Sequence, residues 1–199
     1  MEIATISVGM NGTNCYIVIY KENYCFVIDP GGEGEKILGY IENNHLKAEG
    51  IVLTHGHFDH IGAVDFLRDN LDIDVAVHKL DNAYLIDPQK NLSFMIGENI
   101  QLESADRLLA EGDEYYGFQV IATPGHTPGG ISLYNESEGV LFSGDTIFER
   151  GYGRTDFPGA NQGKLFKSIE KLLLLPEKTK IYPGHGGTTT IADFKRFIG

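Results

Sequence analysis

Four side chains able to hold a metal fall within positions 55–60 of the stretch Thr54-His55-Gly56-His57-Phe58-Asp59-His60. A helix would scatter them around its axis, and a strand would divide them between two faces. A tight loop can converge all four, and Gly56 is the residue expected to supply the freedom to turn. Three more such residues stand alone: His126 in Thr123-Pro124-Gly125-His126-Thr127-Pro128-Gly129-Gly130, Asp145 in Phe142-Ser143-Gly144-Asp145-Thr146, and His185 in Tyr182-Pro183-Gly184-His185-Gly186-Gly187. Each comes after a strand-like run and has a glycine directly before it. The set is five His and two Asp, with no Cys. Imidazole and carboxylate suit zinc, iron or manganese, and seven donors are too many for one ion. Two divalent ions sharing one carboxylate would use them all. Any one of these histidines read alone is a surface or capping residue. The grouping argues otherwise, because clustered imidazole and carboxylate without a cation is costly. His45 and His78 lie outside the pattern and read as structural.

Such donors need elements that deliver them to one place. Ile3–Val8, Cys15–Tyr20 and Cys25–Ile28 read as strands, rich in Ile, Val and Tyr and separated by turn residues. Asp29-Pro30-Gly31-Gly32 breaks the third. Gly34–Leu46 reads as a helix with Ile37, Leu38 and Ile41 on one face. Gly50–Thr54 is a buried strand that runs directly into His55. A helix is expected over Ile61–Leu71 and a strand over Asp74–His78. Leu80–Ile100 reads as a helix followed by irregular chain, and is a candidate wall for a pocket. Phe118–Ala122, Gly130–Tyr134, Gly139–Ser143 and Lys180–Tyr182 are further strands; Asn161–Leu175 and Ile191–Ile198 are helices. Each half runs from strands into helices, which implies two similar β-rich layers face to face with helices outside. Loops at strand ends collect on one edge, where folds place their sites. No linker or low-complexity segment interrupts residues 1–199, so a single domain is expected.

Composition narrows the partners. Sixteen Lys and Arg stand against 28 Asp and Glu, a formal charge of -12. No basic surface is evident for nucleic acid or for an anionic membrane. There is no apolar run long enough to span a bilayer, and Met1-Glu2-Ile3-Ala4-Thr5 does not read as a signal peptide. A cytoplasmic location is the default expectation. The two cysteines, Cys15 and Cys25, lie within strand-like runs, so buried reduced thiols are expected in place of a disulfide scaffold. Oligomeric state is not legible.

With these motifs in this order, the sequence resembles the metallo-β-lactamase superfamily. The resemblance rests on His55-Gly56-His57-Phe58-Asp59-His60, His126, Asp145 and His185, and extends from the Cys15 strand to His185. It implies an α/β (α+β) fold, a four-layer αββα sandwich of two mixed sheets flanked by helices, with two metals on one edge. It implies that His55, His57 and His126 bind the first metal and that Asp59, His60 and His185 bind the second. Asp145 and a water or hydroxide would bridge them. Zinc is the first expectation for the ions.

Within the superfamily, true β-lactamases usually carry Cys at the place of Asp145 and generally lack the equivalent of His60. Flavodiiron proteins have Glu where His57 stands. RNA-processing members have long arms and basic surfaces. The chain is most similar to the short bacterial form of the glyoxalase II group, the hydroxyacylglutathione hydrolases, through Gly151-Tyr152-Gly153-Arg154-Thr155-Asp156-Phe157-Pro158-Gly159 and Asn14-Cys15-Tyr16-Ile17-Val18. Long glyoxalase II continues into a helical extension that holds glutathione. Only residues 186–199 follow His185, so the thiol half of the substrate is left open.

The implied reaction is hydrolysis of a small-molecule thioester such as a 2-hydroxyacyl-glutathione. A metal pair lowers the pKa of its bound water from about 15.7 toward about 7, and a metal-bridging hydroxide would attack the acyl carbonyl. Asp59 and Asp145 are the candidate catalytic residues, as metal ligands beside that hydroxide. Arg154 is a candidate contact for a substrate carboxylate, since guanidinium pairs bidentately with carboxylates. An ion pair with Asp156 is its competing role. The alternative activity is a mononuclear iron persulfide dioxygenase on the same fold, with His55, His126 and Asp145 as ligands. A metal-binding scaffold without turnover is a third reading, to which nothing in the ligand set points.

Overall fold

Apolar residues fill the strands, and the way those strands end decides where the polar loops go. The computed structural model describes all residues, Met1–Gly199, and they divide into two compact units, Met1–Leu108 and Leu109–Gly199.

The first unit contains β1 (Glu2–Val8), β2 (Thr13–Lys21), β3 (Tyr24–Ile28), α1 (Gly34–Asn43), β4 (Lys47–Val52), α2 (Phe58–Ile61), α3 (Val64–Leu71), β5 (Asp74–His78), α4 (Asn82–Ile86) and α5 (Pro88–Asn91). A 3-10 turn (Ser93–Ile96) follows, and β6 (Arg107–Leu109) runs to the boundary. The sheet order is β1-β2-β3-β4-β5-β6. β1 to β3 are antiparallel hairpin partners, while β3, β4 and β5 are parallel. Parallel neighbours need crossovers, and α1 and the α2–α3 segment supply them. Ile37 and Ile41 of α1 and Val64 and Leu67 of α3 are buried in one cluster with Ile17, Val27, Ile51 and Val75 of the sheet. Because β3, β4 and β5 run the same way, the residues that follow them emerge on one sheet edge. Those residues are Asp29, the His55–His60 loop and Asp81.

The second unit contains β7 (Glu114–Tyr115), β8 (Phe118–Ala122), β9 (Ile131–Asn135), β10 (Val140–Gly144), β11 (Ile147–Phe148), β12 (Gly151–Tyr152), α6 (Gln162–Leu172), β13 (Lys180–Pro183), β14 (Thr189–Thr190) and α7 (Ile191–Ile198). Its main sheet has the order β14-β13-β10-β9-β8-β7. β10 and β13 are parallel, with Gly144 opposite Pro183, and Gly184 N donates to Gly144 O at 2.9 Å. That register sets Asp145 beside His185. β8 is antiparallel to β9 and β9 to β10, so β8 ends on the same edge and delivers His126 there. α6 and α7 contribute Leu165, Ile169, Leu172, Ile191 and Phe194 to the core.

Helix ends differ from the sequence expectation for local reasons. α1 stops at Asn43 because His45 takes the left-handed conformation (φ 55), and Leu46 N closes back on Ile41 O at 2.9 Å, a Schellman-type end. α3 begins at Val64, since Ala63 N is drawn to Pro30 O at 2.9 Å. α6 starts on Asn161, whose side chain accepts from Lys164 N at 2.9 Å, and it ends at Leu172. The two-residue strands β7, β11, β12 and β14 carry no periodic signal. A buried amide ties the two ends of residues 80–100 together: Asn91 Nδ2 donates to Tyr84 O and to Ile100 O, both at 2.9 Å. No helix is long and apolar enough to cross a membrane.

Cys15 and Cys25 are buried free thiols. Burial pushes the Cys25 thiol up to about 11. Burial and the Asp29 charge push Cys15 well above its ordinary value. The thiolate is the reactive form, and a raised pKa keeps both groups protonated. A disulfide-exchange reagent at pH 8 is therefore expected to titrate no thiol in the native protein and two per chain in denaturant.

Candidate metal centre

The loop after β4 opens with Thr54, whose backbone N donates to Asp29 Oδ1 at 2.7 Å and whose hydroxyl donates to Asp29 Oδ2 at 2.6 Å. The same Oδ2 lies 2.9 Å from His60 Nδ1. His55 Nδ1 is 3.2 Å from the Thr54 hydroxyl oxygen. Since that hydroxyl gives its proton to Asp29, it can only accept from His55. His55 and His60 therefore both carry their proton on Nδ1, and Nε2 holds the lone pair. Asp29 is 1% exposed and stands at φ 50, a left-handed position that Asp tolerates better than most residues.

A second buried carboxylate steadies the other side of the loop. Asp81 Oδ2 accepts from Gly56 N at 3.1 Å. Tyr84, from α4, packs its ring 6.0 Å from that of His57. Burial and the Asp81 charge raise the Tyr84 hydroxyl to about 12, so it stays neutral. Gly56 is required for proximity and not for a left-handed turn: a Cβ there would stand 2.4 Å from Tyr84 Cβ. The His55 ring lies 4.9 Å from that of His57 and 4.1 Å from that of His60. Within this unit, the ligand atoms of the pairs His55–His57, His55–His60 and Asp59–His60 each lie within 4.8 Å. The loop thus converges its four donors. His55, His57 and His60 are buried.

In the second unit, Asp145 Oδ2 lies 3.5 Å from His126 Nε2 and 3.6 Å from His185 Nε2. One carboxylate oxygen therefore faces two imidazoles from two other loops. His126 Nδ1 is 2.8 Å from the Arg154 carbonyl oxygen. A carbonyl only accepts, so His126 also has its proton on Nδ1 and its lone pair on Nε2. Gly153 makes this approach possible, since a Cβ there would meet Asp145 O at 2.0 Å and His126 Cβ at 3.2 Å. Phe157 and Phe148 stand edge-on to His126 and His185, with centroids 6.5 and 6.0 Å apart.

Three of the five histidines are thus locked in the tautomer a metal requires, by partners on the far nitrogen of the kind metal-bound histidines have. The residues fit a metal. The comparisons with known proteins agree. The family model described as "Metallo-beta-lactamase superfamily" matches residues 8–185. The chain belongs to the metallo-β-lactamase superfamily.

Among relatives in this superfamily, the chain is 41% identical to the "Probable metallo-hydrolase YqgX" of Bacillus subtilis over 96% of this chain and 93% of that one. It is 35% identical to the "Hydroxyacylglutathione hydrolase GloC" of Haemophilus influenzae over 98% and 96%. Among solved structures it resembles the "BLEG-1 B3 metallo-beta-lactamase" (TM-score 0.94, 38% identity, 100% of both chains). It also resembles TTHA1623 "in a di-iron-bound form" (TM-score 0.91, 37% identity, 98% of both). The fold, two mixed six-stranded sheets with flanking helices, is that of the superfamily. The protein is a metal-dependent hydrolase of this superfamily with a His-rich metal site.

Arg154 engages Asp156 through two bonds, Nε to Oδ1 at 2.7 Å and Nη2 to Oδ2 at 2.6 Å. Its guanidinium lies 4.0 Å from the Phe157 ring centroid. This is the competing role noted from the sequence. His45 is an exposed turn residue, and His78 Nδ1 accepts from Leu80 N at 3.3 Å at the end of β5. Asp29, Asp81 and Tyr84 were missed as site residues. Asp29 was legible only as a strand breaker, and Asp81 lies in the segment that carries no clear periodicity.

Asp29→Ala removes the acceptor for three buried donors, each worth about 1–3 kcal/mol when left unsatisfied. Denaturant unfolding of the metal-free variant should show a loss of at least about 2 kcal/mol on that basis. Chelator competition should show metal affinity lowered about 10- to 100-fold, as for other partners of ligating histidines. Unaltered affinity would show that the loop is held by something else.

Proposed function

We propose that the protein is a binuclear thioester hydrolase of the glyoxalase II type, acting on a substrate such as a 2-hydroxyacyl-glutathione. In this reading His55, His57 and His126 hold one ion, Asp59, His60 and His185 hold the other, and Asp145 is shared. The two units together then form one functional domain. The observation that carries the metal reading is the tautomer lock on His55, His60 and His126. The placement of Asp145 Oδ2 between His126 and His185 suits a shared carboxylate. The GloC relative favours the thioester.

When bound, such an ion pair supplies hydroxide at neutral pH and Lewis acidity toward a carbonyl oxygen. The chain's own residues supply the rest. Asp29 and the Arg154 carbonyl fix the imidazoles, so no ring must reorient during turnover. Asp145 spaces the two ligand sets and offsets cationic charge. Asp59 adds a second carboxylate to that balance and orients the attacking oxygen. Phe148 and Phe157 border His185 and His126 with apolar edges, which limits water there. Asp156 occupies the Nε–Nη2 edge of Arg154, so a substrate carboxylate would use Nη1 or displace Asp156. Zinc is the proposed metal, and the di-iron form of TTHA1623 makes iron the first rival. The Asp59, His60 and His185 set favours two ions over the single iron of a persulfide dioxygenase. No nucleic-acid or membrane partner is proposed, and the cytoplasm is the proposed location.

Elemental analysis of protein purified without added metal should give close to two ions per chain, and the same sample should hydrolyse D-lactoylglutathione. One iron per chain with oxygen uptake on a persulfide would replace this reading with the dioxygenase. Cleavage of a chromogenic cephalosporin without thioester turnover would replace it with a β-lactamase. Asp145→Ala should lose bound metal and lower turnover by more than about 100-fold, beyond the range seen for residues one step removed from a metal. Full activity at full metal content in that variant would refute the shared-ligand role.

A further inference from the structure

Asp59 and His60 are consecutive in the chain, yet they are held from different directions. His60 is fixed by the buried Asp29. Asp59 Oδ2 accepts from Asn11 Nδ2 at 2.9 Å, and Asn11 belongs to the Gly9–Gly12 turn joining β1 to β2. That turn closes through Gly12 N to Gly9 O at 3.2 Å. It is pinned to the segment after β3, where Gly9 N donates to Glu33 Oε2 at 3.3 Å. Unlike the Asp29 contacts, the Asn11–Asp59 bond is exposed, and the neighbouring Met10 is 77% exposed.

We infer that Asn11 is a positioning residue for the second of the two ions. The inference rests on the assignment of Asp59 to that ion made above. A carboxylate can offer a cation one oxygen or two. An amide donating to Oδ2 commits that oxygen and leaves Oδ1 as the better donor, with its carboxylate plane fixed. Without the amide, Asp59 keeps its charge but loses that restraint on its orientation, and Oδ2 is no longer committed. The first ion's proposed ligands are His55, His57 and His126. Their Nδ1 contacts run to Thr54 and Arg154, and His57 packs on Tyr84. The turn therefore sets the affinity of one ion and leaves the other alone.

The test uses the intact metal-loaded protein and three sequences: wild type, Asn11→Ala, and Met10→Ala as a control that alters the same turn but keeps the amide. Each is equilibrated in chelator-buffered zinc over a range of free concentrations, and retained metal is counted by elemental analysis. In Asn11→Ala one ion should need about 10- to 100-fold more free zinc to be retained, the range for groups that orient ligands. The midpoint of the other ion should not move. Cobalt substitution gives a second readout, since the absorption of one site alone should change. The metal-free variant should unfold in denaturant at the wild-type midpoint, which separates orientation from folding. Met10→Ala should match wild type throughout. Both midpoints shifting together, or neither shifting, overturns the inference. A wild type that retains only one ion overturns the binuclear reading itself and the Asn11 assignment with it, and that failure is visible before any variant is made.

Discussion

The buried carboxylate of Asp29 is the constraint on which the ligand loop depends. It stands at the end of β3, takes two hydrogen bonds from Thr54 at the end of the neighbouring β4, and takes a third from His60. Thr54 passes the effect on to His55. One anion therefore ties two parallel strands together at the edge where the loop begins, and it decides which nitrogen of two histidines is left to bind metal. A carboxylate this deep is costly unless its lone pairs are used, and here the donors that use them are parts of the site. A cation close by would reduce the remaining cost further.

The same economy recurs in the second unit with backbone in place of carboxylate. The parallel pair β10 and β13 brings Asp145 beside His185, as β3, β4 and β5 bring Asp29 and Asp81 to the His55–His60 loop. In both units donors leave from the carboxyl ends of strands that run in one direction, the general location of ligand sites in parallel sheets. Close approach is then what glycine provides. Gly56 admits Tyr84, and Gly153 admits the carbonyl of Asp145. Neither takes a positive φ, so the small residue matters there for space more than for backbone freedom.

How much of this was legible beforehand follows from what kind of signal each part leaves. Strands such as Asp74–His78 and Phe118–Ala122 have the bounds expected from their apolar runs, because a buried strand must be apolar. The candidate metal donors that the loops bring together were legible because His and Asp with fixed chemistry recur next to glycine. The helix ends at Asn43 and Leu172 were not, since one depends on a left-handed His45 and the other passes into tight turns, Leu174 N to Lys171 O and Leu175 N to Leu172 O. Two-residue strands such as Ile147–Phe148 and Thr189–Thr190 exist by pairing alone. Asp29, Asp81 and Asn11 act through partners 48 or fewer residues away in the chain. Pairings of that kind leave no local pattern, and an Asp after a strand looks like any turn residue.

Arg154 shows how one residue can hold two separable roles. Its carbonyl fixes the His126 tautomer, while its side chain pairs with Asp156 and lies on Phe157. The first role belongs to the main chain and survives any substitution that leaves the loop in place, and Gly153 helps to keep it there. The second belongs to an exposed guanidinium whose pairing with Asp156 holds that carboxylate down at about 2. Protonation of Asp156 as pH falls through that value would weaken the pair. Asp156 thus keeps the Arg154 side chain oriented over Phe157 before any substrate arrives. In the proposed reading an anionic substrate would meet a guanidinium already paired along one edge, on a loop whose backbone holds the proposed ligand His126.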